Sequence, residues 1–204
     1  MLAALTGVGL SAAAGLNAWI PVLVVALLAR FTDLLVLPAG WAWLESGWAI
    51  GATAVLLLVD VVVDKVPAVD SVNDVLQTFV RPATAGLTVA ATTAAADLER
   101  STWVTQRPWV PVLAGVVLAG VVHLGKATLR PVANAGTGGL AAPVLSTAED
   151  GLAFTLSVAA VLLPVLVLLL LVLGVWGFVV LRRRRGRRPA AAGLTPSRPP
   201  RWRS

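Results

Sequence analysis

Long apolar runs separated by short polar stretches dominate the chain. A helix rising 1.5 Å per residue needs ~20 apolar residues to cross about 30 Å of hydrocarbon. The first run, Leu2–Ala29, exceeds one straight span and carries Gly15, Asn17 and Pro21 near its middle. A tilt, a kink or a split into half-helices is expected there. The second runs from about Trp48 to Val63, with Trp41, Trp43 and Trp48 leading in and Asp60 and Asp64 at its far end. Tryptophans so placed fit an interfacial aromatic belt. The intervening 31–47 stretch, with Pro38-Ala39-Gly40, is expected to be a short surface excursion.

From Pro67 to Val80 the pattern changes. Val69, Val72, Leu76, Phe79 and Val80 recur at helical spacing, with Asp70, Asn73, Asp74 and Gln77 opposite. This is an amphipathic helix, lying at the interface or packed in a bundle. Pro82 follows, then 83–96, almost all small residues plus Thr and too short to cross alone. The third segment therefore uses part of the preceding helix, kinked at Pro82, or is re-entrant, and its small side chains place it inside the bundle. The fourth span is Trp109–Leu129, in which Gly115 and Ala119 form a small-residue pair suited to helix packing. Residues 132–150 are rich in Gly, Thr and Pro and read as weakly helical. The fifth span is expected from Gly151 to Leu181, kinked at Pro164.

Composition agrees with burial in lipid. Of 204 residues 58% are hydrophobic and only 13% charged, and the mean hydropathy is +0.87. A soluble domain is usually about a quarter charged, so this chain has too few charges to cover a water-facing surface. Net charge is +6, but nine of the sixteen basic residues are arginines in the last 23 positions. The rest of the chain holds seven basic and ten acidic residues, a net of −3. The basic pI therefore reports a tail, and not a nucleic-acid-binding surface. Residues 182–204, rich in Arg and Pro, read as a disordered tail after a membrane domain of 1–181. Positive charge beside a span stays cytoplasmic, which puts the C-terminus inside. No Lys or Arg precedes the first apolar run, so a retained helix is favoured there over a signal peptide.

The chemistry that remains is sparse. There is no cysteine, and no Ser/His/Asp arrangement has a recognisable spacing. Gly7-Val8-Gly9 and Thr137-Gly138-Gly139 lack the strand, loop, helix and lysine of a phosphate loop. They read as sites of tight helix contact or chain reversal. Glu149-Asp150 reads as an N-terminal charge for the last helix and not as a metal site. No reaction, metal or cofactor is indicated, and the chain reads as non-enzymatic.

The charges left in the core form two stripes. Asp60 and Asp64 share one helix face, as do His123, Lys126 and Arg130. A charge at membrane depth costs at least ~2.5–3.5 kcal/mol on insertion scales, so the stripes are expected to face each other. Arg81-Pro82-Ala83-Thr84-Ala85-Gly86 and Arg130-Pro131-Val132-Ala133-Asn134-Ala135-Gly136 also repeat a theme, although the preceding lysine lies sixteen residues before one arginine and four before the other. Corresponding Pro/Gly-interrupted segments occur in transporters with internal repeats. Two alternatives stay open. The charges are bundle-locking ion pairs, or they line a polar cavity in which Lys65, Arg81, Lys126 and Arg130 meet an ion or anionic group, with Asn134 nearby. Helix starts after Pro82 and Pro131 would add free N–H groups. In a proton-coupled variant the titrating group is Asp60, Asp64 or His123.

Residues 7–35, 64–86 and 130–151 together, with GVGLSAAAGLNAWIPVLVVALLARFTDLL, DKVPAVDSVNDVLQTFVRPATAG and the RP, TGG and STAEDG motifs, resemble a bacterial multi-pass membrane family of unknown function, domain of unknown function 4126. The resemblance spans about residues 4–180 and implies an integral membrane protein of the cell envelope. It brings no activity and no functional residue. The expectation is an all-α integral membrane helix bundle of about five spans with one or two broken or re-entrant segments. Its leading function is a small transporter or channel-like permease for an ion or anionic solute, in the inner membrane of a bacterium. The second is a non-transporting protein that binds lipid head groups or a protein partner. The expected partners are the bilayer itself, anionic lipid head groups at the arginine tail and a second copy of the chain.

Overall fold

A computed structural model describes residues 2–65, 67–95, 106–135, 137 and 141–186. The described residues are all-α, with no strand among them. The elements are α1 (Leu2–Leu16), α2 (Trp19–Phe31), a 3-10 helix (Ala39–Glu45), α3 (Gly47–Val63), α4 (Pro67–Ala95), α5 (Trp109–Ala135), α6 (Ala141–Leu162) and α7 (Pro164–Gly186). Met1–Leu169 form one compact unit, in which the bundle and every site described below lie. From Leu170 the remainder of α7 belongs to a second unit and runs as helix through Arg182–Arg185 to Gly186. The helix thus enters the stretch read as tail, whose remainder, 187–204, lies outside the described residues.

Proline positions explain two of the helix breaks. The expected first span is split in two at Asn17–Ala18. Pro21 has no N–H to give the Asn17 carbonyl and its ring crowds that carbonyl, so the helix cannot run through. Within α2, Pro21 sits in the first turn, where N–H groups lack intrahelical partners anyway. Pro164 has the same effect at the end of α6. The expected fifth span, 151–181, is therefore two helices, and α6 begins ten residues earlier, at Ala141. Pro82 and Pro131 behave differently. Both lie within continuous helices, α4 and α5, so neither starts a helix and neither offers free N–H groups to a ligand.

Two helices, α5 over Trp109–Leu129 and α6 over Ala142–Leu162, are long and apolar enough to cross a membrane. The 3-10 helix and α3 together make a third, bent by 57°. The other segments of the five-span expectation do not qualify singly among the described residues. The halves of the first run are too short, and α4 carries too many polar residues. The bend before α3 is held by Ser46, whose hydroxyl caps the helix, by Arg30 donating to the Glu45 carbonyl at 2.6 Å and by stacked Trp43 and Trp48. Both tryptophans are exposed, as an interfacial belt requires.

α1 is the central helix, packed against α4, α5 and α6. It can be central because Gly7, Gly9 and Ser11 through Gly15 present almost no side chain. Ala14, Ala85 and Ala119 meet where α1, α4 and α5 touch. A Cβ on Gly9 would lie 2.6 Å from that of Ala160, and one on Gly115 would lie 2.7 Å from the Ser11 hydroxyl. The Gly7/Gly9 and Gly115/Ala119 motifs are thus packing features. α4 is turned with its polar face inward. Gln77, Arg81, Thr84, Thr88 and Thr92 are buried along one stripe, while Val75, Leu76 and Phe79 are exposed. The threonine hydroxyls donate back to carbonyls three or four residues earlier, so the stripe carries few unmet donors.

At Gly15 an added methyl would meet Val122 Cβ at 2.6 Å and the backbone oxygen of Ala119 at 2.7 Å. Gly15→Ala is expected to lower stability by about 1–3 kcal/mol, the usual range for overpacking. Gly51→Ala meets nothing within 4 Å and is expected to be neutral. Thermal unfolding in detergent, followed by tryptophan fluorescence, compares the two.

Candidate functional site

Breaking α1 from α2 creates a demand for donors. In an unbroken helix the amides of Trp19 and Ile20 would bond the carbonyls of Gly15 and Leu16. Instead both amides donate to the Asn17 side-chain oxygen, at 3.0 and 3.3 Å. The two carbonyls so released mark the negative end of α1. Arg81 donates to both, at 2.9 Å (Gly15) and 2.6 Å (Leu16). Lys126 donates to the Leu16 carbonyl at 3.2 Å. These two cations, one from α4 and one from α5, occupy the gap in the first helix.

Carboxylates surround them. Asp64 lies 3.5 Å from Lys126 and 4.0 Å from Arg81. Glu149 of α6 reaches Lys126 at 2.9 Å. Asp150 accepts from the Asn17 amide at 2.9 Å and lies 4.0 Å from Lys65. Asp60 accepts at one oxygen, Oδ1, from the amides of Asn73 (3.0 Å) and Gln77 (2.5 Å). Asn73 also donates to Asp64 at 2.7 Å, tying the two acids together. Gln77 in turn accepts from the Arg81 side chain at 3.3 Å. Five helices and the α1–α2 gap thus contribute to one polar cluster.

The expected opposition of acidic and basic stripes is present in part. Asp64 faces Lys126, and Asp60 is held chiefly by the two amides of α4. Lys65 bonds the Val61 carbonyl and is partly exposed. His123 is buried, with Nε2 3.1 Å from the Thr78 hydroxyl. The side chains of Arg130 and Asn134 lie outside the described residues. In the backbone, position 81 falls midway along α4 and position 130 near the end of α5, and Lys126 shares Asp64 and the Leu16 carbonyl with Arg81. Glu149 and Asp150 are corrected most. They sit in the middle of α6 and face the cluster, and are not an N-terminal charge. Their signal was present as two acids between apolar flanks. The Gly/Pro-rich stretch before them favoured a helix start. Asn73 and Gln77 were legible on the polar side of the 67–80 helix and Asn17 at the interruption of the first run, without an indication of where they point.

Charge is inside and apolar surface outside. Arg81 is 0%, Asp64 2%, Asp60 3% and Lys126 6% exposed, while Phe79 is 75% and Leu58 63% exposed. In water each large apolar side chain left outside would forgo roughly 1.5–3 kcal/mol of burial. The inversion suits a surface that meets hydrocarbon. A helical membrane-type bundle with an interrupted central helix and an internal ion-pair cluster is the class these features define.

Residues 4–184 match the model of a family described as a domain of unknown function, DUF4126, and the chain belongs to that family. No curated protein and no solved structure matches it.

Removing Lys126 takes a cationic partner from Asp64 and Glu149 and one donor from the Leu16 carbonyl. Lys126→Met is expected to cost on the order of 3 kcal/mol, as for breaking a buried pair from one side. Adding Glu149→Gln should recover part of the loss. Unfolding midpoints in detergent measure both variants, and a double variant no more stable than the single one would refute the pairing.

Proposed function

We propose that the chain is a small, non-enzymatic membrane permease for an ion or small solute. Its polar site is the cluster at the α1–α2 break. The observation that carries this is an interrupted helix whose carbonyl end lies among buried, paired charges within a bundle that is apolar outside. Irregular backbone at membrane depth is tolerated where protein buries it or where it lines a cavity. Discontinuous helices at charged midplane sites are also how many transporters hold ions and anionic groups. The cluster reaches the surface at Lys65, Asp150 and Glu149, whose side chains are 38%, 18% and 15% exposed. This offers a way in from one side. On this proposal the protein lies in a bacterial inner membrane with its arginine cluster cytoplasmic, against anionic lipid head groups.

A specific observation also favours a non-transporting protein that binds lipid or a protein partner. Arg81 and Lys126 already have partners in Asp64, Glu149 and the α1 carbonyls. The two described cavities are lined by other residues. One, of about 150 Å3, lies between α1, α4 and α5 against Gly7, Ser11, Val89 and Leu118. The other is a shallow apolar groove along α5.

Access to water separates the two. The chain contains no native cysteine, so Asn73→Cys and Glu149→Cys can be probed singly in proteoliposomes. A membrane-impermeant thiol reagent is expected to label both from at least one side, and to leave the apolar, outward-facing Leu56→Cys unlabelled. Protection of both sites from both sides, with full labelling after detergent denaturation, would reject the permease and leave the second reading.

A further inference from the structure

Among the described side chains the cluster holds one carboxylate more than it holds cations. Its described members are four carboxylates, Asp60, Asp64, Glu149 and Asp150, and three cations, Lys65, Arg81 and Lys126. The pairs assign themselves by distance. Asp150 goes with Lys65 and Glu149 with Lys126, and Asp64 lies between Lys126 and Arg81. Asp60 is left over, with no ion pair among the described residues. Its Oδ1 accepts from two amides, whereas its Oδ2 is buried with no hydrogen-bond partner among the described residues. The charged groups that act on it are Asp64 from its own helix, Arg81 from α4 and Lys126 from α5.

A buried carboxylate oxygen with no donor among the described residues suits one monovalent positive partner. Among the described residues no group of three or more His, Asp or Glu side chains is placed to hold a metal ion. A proton needs only the one oxygen. Asp64 is less suited, because Asn73, Arg81 and Lys126 already engage it. His123 engages the Thr78 hydroxyl through Nε2 and is not among the charged groups that act on Asp60.

We propose that Asp60 is a proton-binding site. Oδ2 takes one proton from solvent hydronium, forming an O–H bond and leaving water behind, and returns it to water on deprotonation. Bound, the proton brings the described cluster to neutrality. Unbound, it leaves one net negative charge beside the α1–α2 gap. As the coupling site of a permease, Asp60 rests on the function proposed above. As a proton site it rests on its own surroundings.

Infrared spectroscopy of the full chain in liposomes, titrated over pH, tests this. A carboxyl with few hydrogen-bond partners absorbs at the high-frequency edge of the C=O region. The wild type is expected to show such a band growing as pH falls. Asp60→Asn, which keeps the shape and the Oδ1 acceptor, is expected to lose it, and Asp150→Asn to retain it. If Asp60→Asn does not reconstitute, Asp60→Glu is expected to shift the band. No titrating band in the wild type, a band that survives Asp60→Asn, or one unmoved by Asp60→Glu would each overturn the proposal. A band lost in Asp60→Asn alongside a cluster closed to thiol reagents would sustain the proton site and reject the permease.

Discussion

Two backbone carbonyls, those of Gly15 and Leu16, set the requirements that the rest of the cluster meets. Pro21 forbids a continuous first helix, and Asn17 takes over the amides that would have satisfied those carbonyls. In water the freed oxygens would be solvated at little cost. Inside a bundle with an apolar exterior an unmet backbone acceptor costs several kcal/mol. Arg81 and Lys126 supply the donors, and because they are charged they need countercharges of their own. Asp64 and Glu149 follow from that need.

The close packing serves the same arrangement. Arginine from α4 and lysine from α5 can both reach the end of α1 only if the three helix axes are near. The run of Gly, Ala and Ser from Gly7 to Gly15 permits this. The polar stripe of α4 turns inward for the same reason. In lipid nothing is gained by exposing it, and inside the bundle its amides and guanidinium find acceptors. A helix amphipathic in the ordinary sense is thus used in reverse.

Much of this was legible in the residues. The break was marked by Gly15, Asn17 and Pro21, and the apposition of Asp64 and Lys126 followed from two charged stripes that a bilayer would force together. What local pattern does not carry is direction and reach. The polar face of α4 fits either an interface or a core. Glu149 and Asp150 sit after a weakly helical stretch, and only the extension of α6 back to Ala141 places them mid-helix. Both Arg-Pro motifs suggested interruptions, yet α4 and α5 run through them. A helix that crosses a packed bundle can absorb the lost hydrogen bond, whereas Pro21, with Gly15 and Asn17 just before it, lies where the chain already favours leaving the helix.

The central claim is that Arg81 is needed because the first helix is broken. A double-mutant cycle tests it directly, pairing Arg81→Gln with the helix-restoring variant Asn17→Ala/Pro21→Ala and measuring unfolding free energy in detergent. Healing the helix gives the Gly15 and Leu16 carbonyls back to main-chain amides. Arg81→Gln should then cost less than in the native background, with a coupling of about 1 kcal/mol or more, within the range for residues in one network. Equal losses in the two backgrounds would contradict the claim and would leave Arg81 needed only for its side-chain partners, Asp64 and Gln77 among them.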